Sequence, residues 1–201
     1  YARDSVVIEA GGPLLDDPEK WEALLSHAQP ARWAAAFGLE RQAPRVALVC
    51  ISCDELLQPG AAETVPALAR RIRERLLEAS QALGIRLPVY VLFTRADVLP
   101  YYEDFVRSLD RGEAGQALGC TLPIGEPGEA PHAEVEGARV DGCLAELLHA
   151  LSLKRREFLA RESDAGVMAG VYEFPREVAK LQDHIRRFLV ELCRPSPLGA
   201  S

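Results

Sequence analysis

Three apolar runs, separated by segments of helical character, constrain the fold of this 201-residue chain most strongly. The runs are residues 4–12 (DSVVIEAGG), 45–52 (RVALVCIS) and 87–93 (LPVYVLF). Their apolarity is continuous rather than alternating, which is typical of strands buried on both faces of a parallel sheet. Strands that alternate with helices indicate right-handed crossovers in an open sheet. The sequence therefore predicts an α/β fold with a mostly parallel open sheet, followed by a C-terminal helical extension.

The most strongly periodic helix is predicted over residues 63–83, with Gly84 as its C-terminal cap. Its apolar positions recur at spacings of three and four: Leu68, Ile72, Leu76, Ala79 and Leu83. Arginines on its other face are expected to be solvated, with docking of an acidic partner as the alternative. Further helices are predicted near residues 18–28, 31–37, 101–109, 141–161 and 175–192. Pro175 is expected in the first turn of the last helix, where its missing N–H costs no hydrogen bond.

These elements suggest four successive regions. We expect residues 1–118 to form a partial α/β core, 119–139 an exposed insertion or loop, 140–194 a helical extension and 195–201 a tail. The insertion is inferred from composition, because the stretch from Gly119 to Gly142 contains five glycines and three prolines.

Charge and hydropathy exclude some classes of protein. The formal net charge of −7 argues against a nucleic-acid-binding surface, which is usually basic. No apolar run reaches the roughly 20 residues that a membrane-spanning helix needs, so no membrane contact by this segment is expected. The first residues carry no signal peptide, and we expect the chain to be part of a longer protein.

The cysteines indicate reduced thiols and a cytoplasmic protein. Their number is odd and they are scattered along the chain: Cys50, Cys53, Cys120, Cys143 and Cys193. Cys50 and Cys53 form a C-x-x-C pair inside an apolar run, which favours buried or strand-end thiols; a redox or metal role is the alternative. The four histidines lack metal-ligand spacing, so no metal site and no catalytic residue is predicted.

The third apolar run ends in Thr94-Arg95-Ala96-Asp97. GTPase-like folds have [N/T]-K-x-D at such a strand end, where the lysine packs along the nucleotide and the aspartate accepts hydrogen bonds from guanine. The first run similarly ends in Glu9-Ala10-Gly11-Gly12, and ligands of open α/β sheets bind beyond the carboxyl ends of the strands. The alternative is structural: Asp97 caps the following turn, and Thr94 satisfies the strand end.

Several strings together resemble the cytoplasmic, GTPase-like domain of the TssM/IcmF family of type VI secretion inner-membrane proteins. Residues 4–12 correspond to a strand that ends in D-T-A-G-R-Y, and residues 87–109 to PVYVLxTKxDLLxGFxEFFxxL. Residues 117–123 (ALGCTLP) correspond to G-x-T-x-P. Residues 169–197 (AGVYEFPREVAKLQDHIRRFLVELCRPSP) correspond to VYEFPRQFxxL…FLxxLFxPSP, which is the longest and most specific string.

The resemblance implies a P-loop NTPase-like core without its phosphate-binding strand. It also implies a location at the cytoplasmic face of the bacterial inner membrane, within a protein anchored by transmembrane helices. The partners implied are the membrane protein TssL, the lipoprotein TssJ and components of the baseplate. No nucleic acid is implied.

The chain departs from the family pattern at the nucleotide positions. It contains no G-x-x-x-x-G-K-[ST] P-loop, which in the family lies upstream of the first run. Glu9 replaces the magnesium-binding aspartate and would crowd the strict octahedral geometry of the ion, whereas Gly12 is retained. Arg95 replaces the lysine of the base motif, and an arginine can stack on a purine.

These residues define an expected, vestigial nucleotide site: Glu9, Gly12, Thr94, Arg95 and Asp97. The favoured function is a scaffold that assembles with membrane and baseplate partners and needs no cofactor in this segment. The alternative is an active switch that binds and hydrolyses GTP or ATP with magnesium, through a P-loop upstream of residue 1. A third possibility is an unrelated α/β binding domain in which the T-R-A-D string occurs by chance.

Overall fold

A computed structural model of the protein describes residues 6–28, 45–122 and 132–195. The helix predicted near residues 31–37 lies outside these ranges. The chain divides into two compact units, each described by itself below. The first comprises residues 1–49 and 70–90, and the second comprises residues 50–69 and 91–201.

The second and third apolar runs are confirmed as strands. They form β1 (Ala47–Ser52) and β2 (Val89–Thr94), which pair in a two-stranded parallel sheet. The N–H of Ala47 donates to the carbonyl of Pro88 at 2.9 Å, at the start of the pairing. With helices before, between and after these strands, the mixed α/β class and the helical C-terminal part are confirmed.

The first apolar run is not a strand in the part that the structure describes. Residues 6–11 have no regular secondary structure. A strand depends on ladder hydrogen bonds and on burial of at least one face, and this run has neither within the described residues. Its apolar side chains are largely exposed: Val6 at 83%, Val7 at 79% and Ile8 at 54%. The prediction of a third strand over residues 4–12 is therefore wrong for residues 6–11.

Burial on both faces of the sheet was also expected, and the strands are buried less than that. In β1, Val49 and Ile51 are buried, whereas Leu48 and Cys50 are exposed. In β2 no residue is fully buried, and Tyr90 is among those that are exposed. The continuous apolar runs therefore predicted more burial of the two strands than the described residues provide.

The helix predicted over residues 63–83 is confirmed as Ala61–Leu83. Gly84 follows it with a φ of 63°, the left-handed conformation that a glycine cap provides without strain from a Cβ atom. The hydroxyl of Ser80 donates to the carbonyl of Ile85 at 2.6 Å and fixes the chain as it leaves the helix. Residues 70–83 of this helix belong to the first unit.

Two short helices complete the described part of the first unit: α1 (Gly12–Leu15) and α2 (Pro18–Ala28). The arginine face of the long helix binds this region instead of being fully solvated. Arg75 donates to the carbonyl of Leu15 at 2.9 Å and lies 5.8 Å from the ring centre of Trp21. Arg71 forms an ion pair with Asp16 at 2.6 Å.

In chain order, the long helix Ala61–Leu83 is α4. The helices that lie wholly in the described part of the second unit are α3 (Cys53–Leu57), a 3-10 helix (Ala96–Val98), α5 (Tyr102–Val106), α6 (Arg111–Ala114), α7 (His132–Arg161), α8 (Ala165–Lys180) and α9 (Gln182–Leu192). Helix α7 begins before the predicted residue 141, inside the range assigned to an insertion. Residues 123–131 of that range lie outside the described residues. None of the described helices is both long and apolar enough to cross a membrane.

Pro175 does not begin a helix, contrary to the prediction. Asp164 caps helix α8, because its carboxylate accepts hydrogen bonds from the N–H groups of Gly166 and Val167 at 2.9 and 3.5 Å. Pro175 therefore lies inside α8, where it is buried, and the helical path is interrupted later, at Leu181. From this interruption onward, the buried residues recur at helical spacing: Leu181, Ile185, Phe188 and Leu192.

An aromatic cluster packs α5 between α7 and α8. The ring of Phe105 lies 4.7 Å from that of Phe174 and 5.0 Å from that of Phe158. Tyr102 contacts Phe174 edge to face at 6.0 Å. These separations are within the range in which aromatic pairs stabilise a core. The neighbouring Tyr101 is exposed.

Gly170 permits the close approach of α5 to α8. A Cβ atom built on Gly170 would overlap the Oδ2 atom of Asp104 and would lie 2.7 Å from the Cβ atom of the same residue. Because the Cβ of Asp104 cannot move without its backbone, rotation of the carboxylate alone would not remove the clash.

We therefore expect Gly170→Ala to reduce the free energy of unfolding by about 1–3 kcal/mol, the typical cost of overpacking a core. Urea denaturation followed by circular dichroism measures this change. Gly142→Ala in α7 is the matched control, since nothing lies within 4 Å of its added Cβ atom. The control is expected to gain up to about 1 kcal/mol from helix propensity. A Gly170→Ala protein as stable as the control would contradict the packing.

Candidate functional site

The carboxyl ends of β1 and β2 meet at one edge of the sheet, because neighbouring parallel strands end on the same side. Helix α3 follows β1 directly, and the 3-10 helix follows β2. These two short helices contact each other in the second unit. The predicted residues Thr94, Arg95 and Asp97 lie at this edge, which we call the strand-end corner (residues 52–54 and 94–97).

The side chain of Thr94 forms a hydrogen bond within the sheet. Its hydroxyl donates to the carbonyl of Ile51 in the neighbouring strand at 3.3 Å. This contact agrees with the structural alternative, in which Thr94 satisfies the strand end.

Arg95 forms an ion pair across the corner. Its Nη1 atom lies 2.7 Å from the Oδ2 atom of Asp54, the second residue of α3. The backbone of Arg95 is left-handed, with φ 56° and ψ 43°, which is uncommon for residues other than glycine. Both side chains retain solvent contact, at 60% exposure for Arg95 and 38% for Asp54. The residue at the lysine position of the base motif is thus paired with a carboxylate of the same chain.

Asp54 is a corner residue that the sequence reasoning missed. The hydroxyl of Ser52 donates to the Asp54 carboxylate at 3.2 Å, and the same hydroxyl accepts from the Asp54 N–H at 3.2 Å. Ser52 thereby caps α3 and orients Asp54 toward the end of β2. The available signal was its position. Asp54 lies two residues after the predicted strand 45–52, just as Arg95 lies two residues after the predicted strand 87–93.

Asp97 lies in the 3-10 helix and is exposed. Among the described residues its carboxylate makes no hydrogen bond or ion pair. The cap that was considered for Asp97 is therefore not observed, and its charge acts at longer range on Cys53.

Cys53 is buried, with 2% of its surface exposed, at the start of α3. Burial raises the pKa of the Cys53 thiol, and the negative charges of Asp54 and Asp97 raise it further. A raised pKa leaves little thiolate at neutral pH, so Cys53 is a weak nucleophile. Cys50 is exposed on β1, and both thiols are free. The C-x-x-C pair consequently has a structural explanation, and within the described ranges no group of three or more ligand side chains is arranged for a metal.

The other two predicted residues belong to the first unit. Glu9 is exposed in the irregular segment before α1, and Gly12 is the first residue of that helix. Neither follows a strand in the described residues, so the expectation that both emerge from a strand end is wrong. Their contribution to a nucleotide site stays a prediction.

Chemically, the strand-end corner contains the Arg95–Asp54 ion pair and the exposed carboxylate of Asp97, which has no partner among the described residues. The described residues there supply no activated nucleophile. A surface cleft of about 430 Å³ lies elsewhere in the second unit and is lined by residues of α7, α8 and α9: Asp141, Ala179, Lys180, Gln182, Asp183 and Arg186. None of these was predicted to contact a nucleotide.

Comparison with known proteins identifies what the chain is similar to. Residues 16–201 match the family described as the IcmF-related N-terminal domain. Over 193 residues the chain is 33% identical to the type VI secretion system component TssM1 of Pseudomonas aeruginosa strain PAO1. The match covers 92% of this chain but 17% of the relative, so the chain spans only a small part of that protein's length. No solved structure matches the chain.

We expect the two thiols of the C-x-x-C pair to differ strongly in reactivity. Iodoacetamide should modify the exposed Cys50 roughly tenfold or more faster than the buried Cys53 at pH 8, since a buried thiol of raised pKa reacts slowly. Tandem mass spectrometry assigns the label to each cysteine. Labelling in urea is the control, in which the two rates should converge. Faster labelling of folded Cys53 would support the redox interpretation instead.

The ion pair across the corner is expected to be weak and sensitive to salt. A double-mutant cycle with Arg95→Ala and Asp54→Ala should give a coupling of about 0.2–1 kcal/mol, the usual value for exposed pairs. The coupling energy should fall in 1 M salt, where the Debye screening length is roughly 3 Å. The cycle of Arg95→Ala with Asp97→Ala is the control and should give no coupling. Equal couplings in both cycles would show that Arg95 does not select Asp54.

Proposed function

Because the chain belongs to the IcmF-related family of type VI secretion proteins, we propose that it acts mainly as a scaffold domain of that system's membrane complex. In this proposal the domain positions partner proteins, and its nucleotide site is degenerate. The observation that supports the proposal most directly is the ion pair between Arg95 and Asp54 at 2.7 Å.

By the resemblance of T-R-A-D to the base motif, Arg95 and its ion pair would lie where a GTPase-like domain holds the nucleotide base. In such domains the lysine stem of the base motif lies along the nucleotide. Here the corresponding guanidinium is oriented by Asp54, and Thr94 is bonded to the neighbouring strand. The pair itself contributes at most about 1 kcal/mol, so it is not a strong barrier to a ligand. It supports the proposal because contacts within the chain already hold two of the three corner residues of the motif, Arg95 and Thr94.

The phosphate end of the site gives a second reason. Backbone amides of a glycine-rich loop, together with its lysine, supply much of the affinity for nucleoside phosphates. The sequence contains no G-x-x-x-x-G-K-[ST] motif. Glu9, at the family's magnesium position, lies in an exposed irregular segment. GTP or ATP with magnesium therefore lacks a recognisable phosphate site within these 201 residues.

As a scaffold the domain would act at the cytoplasmic face of the bacterial inner membrane. Its proposed partners are TssL and TssJ, which it would meet as part of the full-length protein, and components of the baseplate. The similarity to a type VI secretion component supports this assignment, although that relative is far longer than the chain.

The second candidate function is an active switch that binds and hydrolyses GTP or ATP in the full-length protein. One observation favours it. Asp97, at the position of the base-reading aspartate, is exposed and has no hydrogen bond or ion pair within the described residues. Its carboxylate is thus free to accept hydrogen bonds from a guanine edge.

Calorimetric titration of GTP and ATP, with and without magnesium, distinguishes the two functions. For this chain we expect no measurable heat of binding, because its sequence contains no P-loop motif. For the full-length protein, scaffolding predicts that Asp97→Ala leaves co-purification with TssL and TssJ unchanged. Glu103→Ala, an exposed acidic residue of α5, is the control.

Micromolar GTP or ATP binding by the full-length protein, abolished by Asp97→Ala but not by Glu103→Ala, would reject the scaffold in favour of the switch. Tight binding by the 201-residue chain itself would show that the phosphate site has been misplaced.

A further inference from the structure

The string of residues 171–176 (VYEFPR) is the most specific part of the family resemblance, and packing explains only half of it. Val171, Phe174 and Pro175 are buried in α8. By contrast, Tyr172 is 42% exposed and the Arg176 side chain is 57% exposed. An aromatic ring left at the surface of an otherwise well-packed helix calls for an explanation other than the core.

Two arginines hold this tyrosine. The guanidinium carbons of Arg155 and Arg176 lie 4.8 and 4.9 Å from the ring centre of Tyr172. Arg155 Nη1 also donates to the backbone carbonyl of Tyr172 at 3.3 Å, and Arg176 Nη2 donates to its hydroxyl at 3.3 Å. We call these three residues the arginine–tyrosine stack. Both separations are within the range of favourable cation–π contacts.

The charge of the stack is only partly balanced. Arg176 forms an ion pair with Glu173, with Nη1 to oxygen distances of 2.9 and 3.1 Å. Arg155 has no carboxylate partner among the residues that the structure describes. Two guanidinium groups on one ring repel each other, and an added anion would relieve that repulsion. The stack is therefore a local excess of positive charge on a chain whose net charge is −7.

We propose that the arginine–tyrosine stack is a docking site for an acidic peptide segment of a partner protein. Guanidinium groups bind carboxylates through two parallel hydrogen bonds, and the tyrosine ring adds apolar contact area. Arginine and tyrosine are also the residue types that dominate binding energy at protein interfaces. The inference rests on the scaffold function proposed above, since a scaffold requires a surface that binds its partners.

Acidic peptide is favoured over a phosphate polymer by the charge of the whole chain. Nucleic acids and anionic membranes present extended arrays of negative charge, which a chain of net charge −7 repels over a wide area. A short acidic segment needs only the few groups of the stack. The side chains are also held in place by their mutual contacts, so little conformational freedom is lost on binding.

The stack has a structural role as well, because Arg155 joins α7 to the backbone of α8. A variant of Arg155 can therefore lower stability without any effect on a partner. Binding and unfolding must be measured on the same proteins, and binding must be compared at a temperature at which each variant is fully folded.

The test uses a fluorescein-labelled polyglutamate peptide and fluorescence anisotropy at low salt, with polyglutamine of equal length as the neutral control. Arg155→Ala and Arg176→Ala are each expected to weaken polyglutamate binding by roughly tenfold, the effect of losing one charge-assisted hydrogen-bonded contact. The matched control is Arg156→Ala, which removes the same charge from the adjacent position of α7. Arg156 is exposed and has no partner in the described residues, so its change should weaken binding less than about twofold.

Nuclear magnetic resonance of the arginine Nε–H groups locates the contact. Signals of Arg155 and Arg176 should shift on addition of polyglutamate, and that of Arg156 should not. Equal weakening by Arg155→Ala and Arg156→Ala, or equal binding of polyglutamate and polyglutamine, would overturn the proposal. Tighter binding of single-stranded DNA or of phosphatidylglycerol vesicles than of polyglutamate would also overturn the proposal, because it would show that the stack binds phosphate groups. The nucleotide titration does not involve the stack, so each proposal can fail without the other.

Discussion

The parallel pairing of β1 with β2 is the constraint on which the candidate site depends. Because the two strands run in the same direction and are in register, Ser52 and Thr94 end at one edge, and the chain turns after each of them. That geometry places Asp54 beside Arg95 and bonds Thr94 to Ile51. Two strands with few fully buried side chains would be marginal alone, and the edge contact between Phe93 and Phe188 attaches β2 to the helical core of the second unit.

The helical part of the second unit is stabilised by apolar packing and carries polar groups outward. The rings of Phe105, Phe158 and Phe174 fix α5 against α7 and α8, and the approach of α5 is possible because residue 170 is glycine. With its buried face fixed in this way, α8 presents Tyr172 at the surface beside α7. The short string 171–176 thus has two roles. One face of the helix packs in the core, and the other face carries residues of the arginine–tyrosine stack.

Much of this architecture could be predicted from local patterns. Periodic apolar spacing located Ala61–Leu83 and its glycine cap, and continuous apolar runs located β1 and β2. The failures have physical causes. Residues 6–11 of the first run have strand propensity, but propensity does not form a strand without a hydrogen-bonded neighbour. The sequence pattern places Pro175 at a helix start, yet the helix begins earlier, at the Asp164 cap, and Pro175 is buried inside it.

The candidate site was predicted in part. The T-R-A-D string correctly marked a strand end. A motif, however, identifies residues that are close in sequence and does not identify their partners on the neighbouring strand. Asp54 could not be assigned to Arg95 until β1 and β2 were placed side by side. The same limit applied to the arginine–tyrosine stack, since Arg155 and Tyr172 are brought together only by the packing of α7 on α8.

Under the proposed scaffold function, Arg95 and Thr94 keep their contacts with Asp54 and Ile51, and no nucleotide binds at the strand-end corner. The most direct measurement is a titration of this chain with GTP and magnesium, followed by the amide signals of residues 94–97 and the Nε–H signal of Arg95. The account predicts that these signals stay in place while millimolar nucleotide is added. Saturable shifts confined to those residues, with release of Arg95 from Asp54, would contradict it.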